Sequence, residues 1–353
     1  MFFYLYALLL LFVVLFVTVV GNLRPYVVGL CLVFFSLLLF LTNHYVFFVC
    51  YELLVVPLLY LTYLGLNQSQ VYFRSVLVFF YVSYFLTFGF LVLLLLSFYR
   101  LSLLASPVFV CLLFLTFVFK APLYPFTGWL TWLHCYANTQ VSIVLASFYL
   151  KLSALVFVLW FSTLFSHFLL YLACLTLVYT TIAFLSELLV KRLIALGSIF
   201  HCSFGLLVLL FYPIWPSSLV GLLFWLLHLV HAVCACWLFQ GTGNLLYIAI
   251  NKVSLPYSQS FYQFWFLVCL LYFAFPLFVS FFVEVILFLH VVCLSLSFPL
   301  FVVLAVITAN FLFLFRFLAI GLYFSPVTNA HLSVQTPVFY SSMVGLLALF
   351  WFF

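Results

Sequence analysis

Four ionisable side chains lie inside long apolar runs of this 353-residue chain: Glu52, Lys120, Lys151 and Glu284. At about 1.5 Å of rise per helical residue, each lies within about 9 Å of the centre of its run. An isolated charge at the centre of a membrane costs about 2.5–3.5 kcal/mol, so burying four for packing alone is unfavourable. Two glutamates and two lysines can form pairs that are made and broken as protons move, which predicts a proton relay. The alternative is a static buried ion pair that only holds helices together.

Three histidines extend this set of titratable groups. His201 lies in the middle of one apolar run, and His228 and His231 lie in the middle of the next. Residues three apart share a helix face, so His228 and His231 raise the alternative of a metal or haem site. No second histidine pair supports two bis-histidine haems. We therefore expect the histidines to belong to the relay, and no cofactor or metal on this chain.

The composition excludes a soluble protein. Apolar residues make up 71% of the chain, charged residues make up 3%, and the mean hydropathy is +1.52. The formal net charge of +6 is spread thinly, and no basic cluster is longer than Lys191-Arg192, so nucleic acid is not an expected partner. Ten cysteines without a C-x-x-C pair favour neither a disulfide framework nor an iron–sulfur site. These features predict an all-α polytopic membrane protein in contact with lipid.

The apolar runs predict about twelve transmembrane helices in a single membrane domain, 1–353. The predicted spans are 2–20, 26–42, 45–65, 72–97, 107–134, 139–161, 163–185, 192–212, 219–240, 262–293, 298–318 and 337–353. Six Lys or Arg residues follow the odd-numbered spans, and Arg100 alone lies on the opposite side. The positive-inside rule then places both termini on the outer, proton-rich side.

Two of these spans are too long and contain proline. Pro122 and Pro125 follow Lys120, and Pro276 precedes Glu284 by eight residues. Proline removes a backbone donor, so we expect two broken helices near the middle of the membrane. Paired broken helices are typical of transporters with inverted repeats, although two unrelated proline kinks are the alternative. The predicted five-helix repeats are 26–161 and 163–318, followed by a C-terminal span, 337–353.

Four short runs resemble the antiporter-like subunits of respiratory complex I, and within them the subunit 4 group. Residues 120–124 (K-A-P-L-Y), followed by Trp129-Leu130 and His134, are similar to the family run K-M-P-L-Y…W-L-P-K-A-H. Residues 142–152 continue in register with S-M-V-L-A…L-K-L. The family runs D-L-K-S-L-I-A-Y-S-S-I-S-H and F-E-x-x-x-I-P are matched by 191–201 and 51–57.

The resemblance implies a role for each matched residue. Glu52 matches the glutamate that pairs with the lysine of the first broken helix, here Lys120. Lys151 matches the central lysine of the next helix. The family's later histidines are matched by His201 and His231, and His228 has no counterpart. Glu284 matches the acidic residue of the second broken helix, where the sister subunits 2 and 5 typically carry lysine.

The chain also departs from the family pattern. Thr131 stands where the family has a proline, and Pro125 is expected to supply the kink instead. Leu189 replaces the Asp of the D-L-K run, and Glu187 is a carboxylate that could pair with Lys191. Family members usually have fourteen spans, so twelve imply the loss of two N-terminal spans.

Taken as a whole, the resemblance implies a non-redox subunit of H⁺-translocating NADH:ubiquinone oxidoreductase in the mitochondrial inner membrane. A bacterial plasma membrane is the less favoured location. Subunit 2-like and subunit 5-like chains of the membrane arm would be its neighbours. A freestanding cation/proton antiporter of the same fold, a haem-bearing electron carrier and a purely structural bundle are the competing interpretations.

Overall fold

A computed structural model describes the central part of the chain most fully. The described residues are 55, 73–74, 76–81, 83–84, 107–137, 139–150, 153, 166–187, 189–211, 230–231, 234–235, 238–239, 259–275, 281–282, 284–286, 289 and 305–314. All regular structure within these ranges is helical.

Seven helices position the residues discussed below. They are α1 (Pro107–Lys120), α2 (Gly128–Tyr136), α3 (Thr139–Val144), α4 (Ser166–Ser186), α5 (Val190–Phe211), α6 (Gln259–Tyr272) and α7 (Ala305–Leu314). A π-helical turn, Leu145–Tyr149, continues α3. Glu284, Val285 and Ile286 are also helical.

Helix α5 lies at the centre of the described part. It packs against α4 and against α2, and α2 in turn contacts α3. Every residue from 193 to 207 is buried, which is the pattern of a helix that is covered by protein on all sides. His201 lies within this stretch, so α5 carries one of the predicted relay residues through the core.

Helix α4 is peripheral. Only residues 187–189 separate it from α5, so the two helices form a hairpin. Large apolar side chains recur on one face of α4 at intervals of three and four residues and are exposed: Phe168, Tyr171, Leu175, Val178, Ile182 and Leu185. A face of this kind is unfavourable in water and favourable against lipid, so α4 presents it to the membrane.

Several buried serine and threonine hydroxyls are satisfied inside their own helices. The Thr180 hydroxyl donates to the Thr176 carbonyl at 2.8 Å, and the Ser203 hydroxyl donates to the Phe200 carbonyl at 2.9 Å. Such bonds let serine and threonine lie in an apolar environment without a partner on another helix.

The helix bounds agree with the predicted spans where both can be compared. Helices α4 and α5 correspond to spans 163–185 and 192–212, and each is long and apolar enough to cross a membrane. Span 107–134 is divided into α1 and α2, as its prolines predict. The total of twelve spans and the inverted repeats stay predictions, because many of the spans lie outside the described residues.

Candidate functional site

The first broken helix ends at the predicted lysine. Helix α1 stops at Lys120, residues 121–127 form turns, and α2 begins at Gly128. Lys120 is 3% exposed, so its ammonium group lies within the protein. Pro122 and Pro125 both fall in the turn segment, where neither can continue a helix. The break therefore places a buried lysine beside backbone that is released from helical hydrogen bonding.

Side chains hold this break in shape. The Trp129 indole N–H donates to the carbonyl of Phe119 at 2.9 Å, which satisfies a carbonyl freed at the end of α1. The rings of Phe119 and Phe126 stack with centroids 3.8 Å apart across the turn. Thr131 lies inside α2 and donates its hydroxyl to Gly128, so the kink falls in the proline-containing turn as expected.

The π-helical turn links this region to α5. A single π turn inserted in an α-helix is frequent at functional sites. The turn is followed by Leu150. The carbonyl oxygen of Leu150 accepts a hydrogen bond from the Cys202 thiol, with an S···O distance of 3.6 Å. Cys202 follows His201 in α5, and Lys151 follows Leu150 in sequence. Lys151 itself lies outside the described residues, as do Glu52 and His228.

The structure brings two predicted histidines together. The rings of His201 and His231 lie 3.8 Å apart between centroids, with an angle of 34° between their planes. Each is 1% exposed. Each imidazole can both take up and release a proton, so the two rings form a pair of titratable groups in the core. The sequence predicted both residues but could not predict that they touch.

Tyr272 completes the cluster and was not predicted. Its ring centroid lies 4.6 Å from that of His201 and 5.8 Å from that of His231. It is the last residue of α6, and its hydroxyl is buried with no hydrogen-bond partner among the described residues. A phenol can donate and accept a proton, so Tyr272 adds a third polar group to the pair.

Gly197 explains how Tyr272 reaches this position. A Cβ atom on Gly197 would lie 3.1 Å from Cε1 of Tyr272 and 3.2 Å from its hydroxyl oxygen. Gly197 lies one turn before His201 in α5. The absence of a side chain therefore lets the tyrosine ring lie directly on the helix backbone beside the histidine.

We expect Gly197→Ala to displace Tyr272 and to destabilise the assembled protein by about 1–3 kcal/mol, the usual cost of overpacking a core. Thermal unfolding of the detergent-solubilised protein measures this cost. Gly128→Ala is the matched control, because a Cβ at Gly128 would meet nothing within 4 Å. Equal unfolding temperatures for the two variants would contradict the proposed close approach.

The second broken helix ends beside the same cluster. Ala274 has a φ of 52°, and the Phe275 N–H donates to the Leu270 carbonyl at 3.1 Å. This is a left-handed C-terminal cap, which usually carries glycine because other residues are strained there by about 1–2 kcal/mol. Helix α6 therefore ends before Pro276, a residue outside the described part, rather than at it.

Glu284 lies beyond this second break. Its carboxylate is 2% exposed and accepts a hydrogen bond from the side-chain amide of Asn310 in α7. Asn310 was not among the predicted relay residues. An amide inside the apolar run 298–318 is itself a signal, because polar side chains in membrane helices usually bond across helices.

Aromatic rings connect the two parts of the site. Phe313, one turn after Asn310, lies 5.8 Å from Phe273 and 5.0 Å from Phe200 between ring centroids. Phe273 follows Tyr272, and Phe200 precedes His201. Helix α7 thus contacts Glu284 through one residue and the neighbours of the histidine cluster through another.

Charged residues gather at the α4–α5 turn. Arg192 pairs with Glu187 at 3.0 Å, and the Lys191 ammonium donates to the Ala137 carbonyl just after α2 at 3.3 Å. The sequence had suggested that Glu187 pairs with Lys191, and the ion pair that the structure shows for Glu187 is with Arg192. Residues 187 and 189 are not helical, so the i,i+4 spacing does not apply there. Lys191 instead places its positive charge at the C-terminal end of α2, which the helix dipole favours.

His134 lies in the last turn of α2. It is completely buried, and its ring stacks on that of Phe239 with the ring centroids 5.0 Å apart.

Among the described residues, no group of three or more His, Cys, Asp or Glu side chains could hold a metal ion.

Residues 41–312 match the model of the transmembrane family "NADH:quinone oxidoreductase/Mrp antiporter". The chain belongs to this family. The match covers most of the 353 residues and includes every predicted relay residue. The family therefore accounts for the all-α polytopic membrane fold and identifies the chain as an antiporter-like subunit that translocates protons or other cations.

Solved structures of low sequence identity share the fold. Respiratory complex I from Thermus thermophilus with bound aureothin contains a chain with a TM-score of 0.73 and 18% identity, covering 97% of this chain and 83% of that one. A chain of the membrane-bound sulfane sulfur reductase, an archaeal respiratory membrane complex, gives a TM-score of 0.76 at 17% identity. This match covers 97% of the present chain and 78% of that one. A chain of the Mrp complex from Dietzia sp. DQ12-45-1b gives a TM-score of 0.73 at 15% identity. This match covers 92% of the present chain and 66% of that one. No curated protein sequence matches the chain.

Proposed function

We propose that this antiporter-like subunit is a proton-translocating member of the membrane arm of NADH:ubiquinone oxidoreductase. The observation that carries the proposal is the arrangement of buried ionisable groups at two helix breaks with a histidine pair in the protein core. Lys120 ends the first broken helix, and Glu284 follows the second. His201 and His231 touch in the core. The chain would bind no redox centre, so electron transfer in other subunits would drive it.

In this proposal protons enter from the matrix side and pass Lys151 before they reach His201 and His231. They leave near Glu284. Glu52 would form and release an ion pair with Lys120, and this change would set when Lys120 holds its proton. The Leu150–Cys202 contact supports the step between Lys151 and the histidines, because it joins the sequence neighbours of Lys151 and His201.

The assignment to subunit 4 and to the mitochondrion rests on sequence. Glu284 occupies the position where subunits 2 and 5 typically carry lysine. The chain contains 52 Phe and two Met, a bias that fits a T-rich organellar gene. The repeats 26–161 and 163–318 would then be the two halves through which protons pass, with subunit 2-like and subunit 5-like chains as lateral neighbours.

A freestanding cation/proton antiporter is the second candidate, because the description of the matched family includes the Mrp antiporter. A native gel of mildly solubilised membranes, stained for NADH dehydrogenase activity, separates the two. We expect peptides of this chain in the large active band. Peptides found only in a smaller band without that activity would instead support the antiporter.

A further inference from the structure

Asn310 is a buried amide that the relay described above does not include. It lies in α7 and is 2% exposed, as is Glu284. Its Nδ2 donates to Oε1 of that carboxylate. Two polar side chains that are both withdrawn from solvent, and that come from different helical segments, meet at this point.

An amide suits a carboxyl group that changes its protonation state. A carboxylate only accepts hydrogen bonds, so it requires the amide N–H. Once protonated, the same carboxyl has an O–H to donate, and a rotated amide offers its carbonyl oxygen as the acceptor. Oδ1 of Asn310 is buried and has no hydrogen-bond partner among the described residues. Asn310 can therefore remain bonded to Glu284 in both protonation states.

The position of Asn310 is fixed by packing elsewhere on α7. Phe313, one turn later, packs against Phe184 with ring centroids 3.9 Å apart, and Phe273 and Phe200 also contact it. These rings fix α7 relative to α4, to α5 and to the end of α6. The amide is thus presented to Glu284 from a helix that is held by the neighbours of the histidine cluster.

We propose that Asn310 is a positioning residue that keeps Glu284 hydrogen-bonded whether or not it carries a proton. This inference rests on the proposed role of Glu284 in proton translocation. Without the amide, the buried carboxyl would lose this partner in both protonation states, and the charged state, which is the more costly to leave unpaired, would be disfavoured.

The test uses the intact complex in membrane vesicles energised with NADH, with proton uptake measured per NADH oxidised. We expect Asn310→Leu to reduce proton uptake about tenfold or more, because a hydrogen bond to a charged group is lost. Asn310→Gln keeps the amide and should recover part of the loss. Thr308→Val is the matched control, since the exposed Thr308 hydroxyl bonds only locally, to the Ala305 carbonyl.

Infrared difference spectroscopy supplies a readout that a packing defect would not move. The carboxyl C=O band of protonated Glu284 is identified by its loss in Glu284→Gln. Asn310→Leu should shift this band to higher wavenumber, as expected for a carboxyl that has lost a hydrogen bond, and Thr308→Val should not. If Asn310→Leu does not assemble, the smaller Asn310→Ala decides by the same two measurements.

The outcomes separate this inference from the function on which it rests. Normal proton uptake in Glu284→Gln would overturn the proposed role of Glu284. Impaired uptake in Glu284→Gln together with normal uptake and an unmoved band in the Asn310 variant would overturn only the inference. The double variant Glu284→Gln/Asn310→Leu should be no worse than Glu284→Gln alone, because Asn310 acts through Glu284.

Discussion

Replacing Lys120 with methionine is expected to abolish proton translocation while the protein still folds and assembles. Methionine has a similar length and fills the same buried space, but it cannot carry a proton. A relay that passes through Lys120 has no substitute at the end of α1, so proton uptake by energised vesicles should fall to the level of uncoupled membranes.

The fold should tolerate this change because other groups hold the break. The Trp129 indole bonds to the Phe119 carbonyl at 2.9 Å, and the Phe119 and Phe126 rings stack across the turn. These contacts do not involve the Lys120 side chain.

Arg74→Met is the matched control. It removes one positive charge as well, but Arg74 is exposed. Its proton uptake should remain close to that of the unaltered protein. The integrity of the Lys120→Met complex is checked on a native gel. Normal proton uptake by the intact variant complex would contradict a relay that passes through Lys120.

The sequence predicted features that depend on local chemistry. Lys120 followed by Pro122 and Pro125 predicted the first break, because proline blocks helical hydrogen bonding wherever the helix lies. The bounds of α4 and α5 follow from apolar length, and burial of Lys120 and Glu284 follows from their positions in apolar runs. None of these conclusions requires knowing which helices touch.

Features that depend on contact between distant segments were not predictable in this way. His201 and Tyr272 are far apart in sequence, and only the packing of α5 against the end of α6 brings their rings together. The role of Gly197 follows from that contact, since an isolated glycine in an apolar helix has many explanations. The partner of Glu187 depended on where α4 ended, which hydropathy locates only to within a few residues.

The histidine pair is expected to act as one step of the relay, so losing either ring should stop proton translocation. Two imidazolium rings with centroids 3.8 Å apart would repel each other by about 4 kcal/mol at an effective dielectric constant of about 20. Double protonation is therefore disfavoured by about a thousandfold. The pair then holds at most one extra proton at a time, so the two rings would act together as one site of the relay.

This arrangement predicts a non-additive mutant series in proton uptake. His201→Phe and His231→Phe should each reduce proton uptake at least about tenfold. Uptake in the double variant should be no lower than in the more impaired of the two single variants. Phe239→Leu is the packing control: it removes a buried ring that stacks at 5.0 Å on His134, a histidine outside the proposed relay, and it should keep most of the activity. Two separate proton paths, one through each histidine, would leave each single variant with the flux of the remaining path and would stop uptake only in the double variant, and that result would rule out a shared step.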